Sequence, residues 1–72
     1  MEKIRLGYNY INEERKAEII DNLKKGNAVC VIPSCIGHTR AEMVKADSKK
    51  VFAEVGAKVT FTEHGMFDYY TL

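Results

Sequence analysis

The sequence predicts a small α+β domain of order β-α-β-α-β-β, with two helices packed on a three- or four-stranded sheet. Three observations predict it. Short stretches near both ends alternate apolar and polar residues, which is the period of a half-buried strand. Two longer stretches place apolar residues three and four apart and end in glycine, as amphipathic helices do. Between them, NAVCVIP is a β-branched run bounded by Gly26 and Pro33, the pattern of a buried strand.

Residues 2–10 set Ile4, Leu6, Tyr8 and Tyr10 against Lys3, Arg5, Gly7 and Asn9, and read as the first strand. Asn12 then caps a helix over 12–25. Glu13 and Glu14 fall in its first turn, where the helix dipole favours anions. Ala17, Ile19, Ile20 and Leu23 form its apolar stripe, and Gly26 supplies the left-handed stop. The second strand runs to Pro33, which has no N–H for a ladder, and is expected to be buried on both faces or nearly so. A loop over 34–39 leads to a long second helix, capped by Thr39 or Ser34, with Thr39 and Glu42 spaced as a capping box. Ala41, Val44, Ser48, Val51, Phe52 and Val55 share its inner face, and Gly56 ends it. Residues 57–62 alternate again, with Val59 and Phe61 expected on one face. Glu63, His64 and Gly65 turn the chain into a last strand over 66–72, closing a β-hairpin. Two helices on such a sheet cover one face and leave the other, with some of the tyrosines, open to solvent or a partner.

The 72 residues make one domain, 1–72, with a small core, since a chain this short buries only about 60% of the surface it exposes when unfolded. With 46% apolar and 29% charged residues the composition is globular, which excludes a disordered chain. Function is expected on a surface or dimer interface rather than in a deep pocket. A net charge of +1 argues for neither nucleic acid nor membrane. Two cysteines are too few for a disulfide scaffold. No apolar run is long enough to span a bilayer and the N-terminus has no apolar signal core, so the expected location is cytoplasmic.

Four kinds of chemistry are worth weighing. Cys30, Cys35, His38 and His64 are zinc-ligand types, but the two cysteines are five residues apart and one is mid-strand, unlike a zinc knuckle. No metal or other cofactor is expected. Cys35, before a helix and near His38 and Arg40, has the surroundings that acidify a thiol, and backbone N–H groups around Gly37 suit an anion. Arg40, Lys45, Lys49, Lys50 and Lys58 are candidates for a basic stripe that contacts nucleic-acid phosphates. Tyr8, Tyr10, Tyr69 and Tyr70 are candidate stacking surfaces, although Glu42, Asp47, Glu54, Glu63 and Asp68 dilute the field. Finally, exposed aromatics such as Tyr69 and Tyr70 on an edge strand suit a protein partner or a homodimer.

The passage VCVIPSCIGHTR…EVGAKVT resembles the cysteine loops of phosphotransferase-system IIB subunits and of rhodanese. That resemblance implies an enzyme or phosphocarrier using Cys35 with His38 and Arg40. The glycine comes one position earlier than in the IIB pattern, and a tyrosine-phosphatase loop needs one more residue between Cys35 and Arg40. From Leu23 onward the chain also resembles a group of small tailed-phage and prophage proteins. The shared pattern is LKKGNAVCVIP, a basic helix with a glycine stop, GAKVTFT, and a glycine-turned hairpin ending in MFDYYTL. The resemblance covers about two-thirds of the chain. It implies a non-enzymatic accessory protein that binds a host protein or nucleic acid. Asp68 and the tyrosines stand where that pattern leads one to expect arginines, which favours the protein partner.

Overall fold

The computed structural model describes residues 2–34 and 37–72. The element order is β1 (Lys3–Tyr8), α1 (Glu13–Lys24), β2 (Ala28–Pro33), α2 (His38–Glu54), β3 (Lys58–Glu63) and β4 (Phe67–Thr71), the order expected. The strands form one four-stranded sheet, β1-β2-β4-β3. β1 is parallel to β2, and β4 is antiparallel to both β2 and β3. Both crossovers, β1-α1-β2 and β2-α2-β3, therefore advance the same way across the sheet. Right-handed crossovers with a common direction deliver their helices to one face. The main core is built accordingly: Ile19 and Leu23 of α1 and Val44, Val51 and Phe52 of α2 pack with Tyr8 and Val29 of the sheet. The molecule measures 32 × 29 × 17 Å, thin because it has one helix layer on one sheet.

α1 starts as its sequence dictates. The Asn12 side chain accepts from the Arg15 backbone N–H at 2.8 Å, Glu13 and Glu14 occupy the first turn, and Gly26 takes a φ of 86°. Ala17, expected in the apolar stripe, is exposed; the anchors are Ile19 and Leu23, with Ile20 half-buried. α2 starts differently from expectation. Gly37 is its N-cap at φ 107°, with no side-chain capping bond. Few L residues adopt that φ, so the glycine bends the chain into the helix two residues earlier than a Thr39 cap would. Thr39 becomes the second helical residue and caps nothing. Ser48, buried in the core-facing stripe, satisfies its hydroxyl by donating to the Lys45 carbonyl at 3.0 Å, the local bond that serine makes within helices.

Two expectations for the strands need correcting. Val59 and Phe61 do not share a face. Val59 lies opposite Tyr70 and Phe61 opposite Tyr69, with a register shift between them. Thr60 is the extra residue, and a bulge of this kind reverses the side-chain alternation beyond it. Val59 consequently lies with Tyr70 on the helix side, while Phe61 joins Tyr69 on the face without helices. β2 is also less enclosed than predicted. Ala28, Val29 and Cys30 are buried, but Val31, Ile32 and Pro33 are only half-buried.

Candidate binding cleft beside the second helix

The half-buried end of β2 leads to the cleft. Ala28 donates its N–H to the Glu2 carbonyl and Ser34 to the Tyr8 carbonyl, both at 2.8 Å. Backbone groups alternate sides along a strand. Even-numbered residues of β2 therefore face β1, and Val29, Val31 and Pro33 face β4. Of these three, Val29 is paired with β4, opposite Tyr70. Beyond it no residue of β2 is paired with β4 among the described residues. Pro33 supplies part of the reason, because on that side it has a carbonyl but no N–H.

The space left open is a cleft of about 390 Å³, near the lower end of the range for ligand sites. Its floor is Cys30–Pro33, one wall is Lys45, Ser48 and Lys49 of α2, and the other is Met66, Phe67 and Asp68 at the start of the hairpin's return strand. Phe52 of α2 stacks on Tyr70 of β4, with centroids 3.8 Å apart and planes 3° apart, and ties the two walls together below the opening. Lys45 and Lys49 lie one turn apart on one flank of α2. Lys45 is 3.6 Å from Glu42. Lys49 has no ion-pair partner among the described residues. Across the cleft, Asp68 accepts from the Thr62 hydroxyl at 2.8 Å.

The other predicted cations lie elsewhere. Lys50 occupies the flank of α2 turned toward α1, one turn before Glu54, which pairs with Lys16 of α1 at 2.8 Å. Arg40 is exposed in the first turn, beside a shallow hollow shared with His38, Thr39 and Met43. Lys58 opens β3 opposite Thr71, at the end of the hairpin remote from the cleft. The five residues thus form no single stripe: one pair lines the cleft and three stand apart from it.

The tyrosines proposed as contact surfaces are largely internal. Tyr69 is 1% exposed. It lies on the helix-free face in a cluster with Ala28 and Cys30, against Ile32, Phe61 and Phe67, and stacks on Phe61 at 4.7 Å. Its hydroxyl accepts from Arg5 Nε at 2.6 Å and donates to Glu63 Oε1 at 3.3 Å. Tyr70 is half-buried under Phe52. Tyr8 belongs to the main core, where its hydroxyl donates to Glu18; burial and then that bond push its pKa up. Tyr10 is exposed, with the Arg15 guanidinium over its ring at 4.4 Å. The sequence showed strand-borne tyrosines but gave no sign of which face each occupied, because the bulge and the strand order decide that.

The helix-free face is not bare. Arg5 and Lys3 reach from β1 across β2 and β4 to Glu63 on β3, and lie over the Phe67 and Phe61 rings respectively. Hydrogen bonds from Lys3 and then Arg5 hold the Glu63 carboxyl at about 2, well below its ordinary 4.5. These side chains close the face that the sequence led one to expect open.

Cys35, the proposed nucleophile, lies outside the described residues. His38 and Arg40 are exposed at the start of α2, which has neither a side-chain cap nor an acidic residue in its first turn. Cys30 is buried, and burial pushes its thiol pKa up, the opposite of activation. His64 is in the hairpin turn, edge-on to Phe67. Among the described residues no three His, Cys, Asp or Glu side chains are grouped as a metal site, and no helix is long and apolar enough to cross a membrane. Val31, Ile32, Ser48, Met66, Phe67 and Asp68 are cleft residues that sequence reasoning assigned to no site; the one signal for them was Pro33, which forbids continued pairing on that side. No protein-family model, curated protein or solved structure matches the chain.

Proposed function

We propose that the protein is a non-enzymatic accessory protein that acts in the cytoplasm by holding a protein partner at the cleft between α2 and the hairpin. The observation that carries this reading is the unpaired end of β2 beside Lys45 and Lys49. It combines unpaired strand backbone, apolar wall and, at Lys49, a cation outside any ion pair among the described residues, the mixture that protein interfaces use. The same distribution disfavours nucleic acid. Phosphate binding draws on several cations along one surface, whereas here Arg40, Lys50 and Lys58 stand apart, Tyr69 is buried and Tyr70 is half-buried under Phe52. The resemblance to small tailed-phage proteins makes a bacterial host protein the natural partner.

Affinity capture from host lysate, with and without nuclease, tests the reading when wild type is compared with a Lys45→Glu, Lys49→Glu variant. A polypeptide retained after nuclease by wild type and lost by the variant supports it. Retention abolished by nuclease, or equal in both proteins, overturns it. The second reading, a thiolate site at Cys35, draws on one observation: the uncapped N-terminus of α2 is flanked by His38 and Arg40 with no acid in its first turn.

A further inference from the structure

Resting on the cleft reading, we infer that the occupant is an extended acidic peptide segment. Its backbone pairs with the open edge of β2, and an aspartate or glutamate side chain is held by Lys45 and Lys49. The backbone alternation fixes what the edge offers: the N–H and C=O of Val31 and the C=O of Pro33. An extended segment answers such an edge with a complementary donor and acceptor at strand spacing, which is the logic of recognition by strand addition. No N–H is offered at Pro33, so the pairing is short and centred on Val31. Side chains of an added strand alternate faces. Those on the α2 side enter between the helix wall and the hairpin wall.

Charge selects the sequence of that segment. The α2 wall presents Lys45 and Lys49, of which only Lys45 has a nearby acid, Glu42 at 3.6 Å. The facing wall presents Asp68, whose carboxylate is already bonded by the Thr62 hydroxyl. Glu42 answers Lys45 and the Thr62 hydroxyl engages Asp68, so Lys49 is the cation left without an ion-pair partner among the described residues, and it favours a carboxylate on the helix side. Met66 at the rim is 69% exposed, and its flexible thioether adapts to neighbouring side chains of varied shape.

The test uses the whole chain, labelled with ¹⁵N and titrated with three capped hexapeptides: alternating valine and glutamate, valine and lysine, and valine and serine. The acidic peptide is expected to shift the amide signals of Val31, Lys49 and Asp68. Lys45→Gln with Lys49→Gln should weaken its binding roughly threefold to tenfold, the effect of one or two partly exposed ion pairs. Asp68→Asn should strengthen it. Equal shifts from all three peptides, or stronger ones from the lysine peptide, overturn the acidic assignment. Shifts confined to surfaces outside the cleft overturn it as well. So does concentration-dependent dimerisation by light scattering that involves the cleft, since a second copy is then the occupant. If no peptide shifts the cleft signals, the inference fails; should lysate capture nonetheless depend on Lys45 and Lys49, the cleft reading stands and only its ligand class is wrong.

Discussion

Replacing Phe52 by alanine tests how the cleft is held. The ring is 2% exposed and stacked on Tyr70 at 3.8 Å, so it both fills the core and fixes α2 against β4. Truncating a buried phenylalanine to alanine costs about 3–5 kcal/mol through lost burial and the cavity left behind. Of this, about 0.5–1.5 kcal/mol belongs to the aromatic pair itself. A domain of this length has a total stability of roughly 4–11 kcal/mol, so the variant gives up between about a quarter and all of it. Each kcal/mol moves the midpoint of a domain this size by about 4–8 °C, which sets the expected fall at about 12 °C or more. Phe52→Leu keeps most of the apolar volume and loses the stack, and should cost about 1–2 kcal/mol. Met43→Ala, on an exposed part of the same helix, should stay within about 0.5 kcal/mol. Urea unfolding followed by circular dichroism measures all three. A loss below about 1 kcal/mol for Phe52→Ala, or one no larger than that of Met43→Ala, would refute the reasoning.

The ion pairs on the helix-free face should make stability acid-sensitive. The folded Glu63 carboxyl titrates at about 2 and an unfolded one near 4.5, so its contribution is present above pH 4.5 and is lost as pH falls toward 2. The gap in urea midpoint between wild type and Glu63→Gln should therefore be largest near neutrality and close by pH 2; a gap that stays constant would contradict the assignment. Cys30, buried and with its thiol pKa raised, should react with iodoacetamide at neutral pH far more slowly than a free thiol. In the same experiment, the rate at Cys35 decides the alternative reading: faster than a model thiol supports a thiolate site, and a rate no faster removes it.

Much of the fold was legible in the sequence because its signals are local. Asn12 with Glu13 and Glu14 marked the start of α1, Gly26 and Gly56 followed the two helices, and the β-branched run 28–33 marked β2. The loop into α2 was less legible, since a glycine at an unusual φ pre-empted the cap that Thr39 offered. Of the candidate site, Lys45 and Lys49 were named from their spacing, but the cleft they border was not. Its other wall comes from residues 66–68, brought there by a hairpin whose place in the sheet no local pattern encodes.

The stretch from Pro33 to Gly56 shows where the division falls. Its residues alone determined a helix with Val44, Ser48, Val51 and Phe52 inward and lysines outward, because helical periodicity is a property of neighbours a few positions apart. Only the tertiary structure decided what the lysines face. Inserting β4 between β2 and β3 put an antiparallel strand beside β2, left Val31 and Pro33 without partners there, and set Lys45 and Lys49 over the gap. The bulge at Thr60 likewise moved Phe61 to the face of Tyr69, where Arg5 and Glu63 close over them. Strand order and register are non-local, set by which arrangement buries the most apolar surface while satisfying the backbone. They converted a string of exposed lysines and tyrosines into one lined cleft and one covered face.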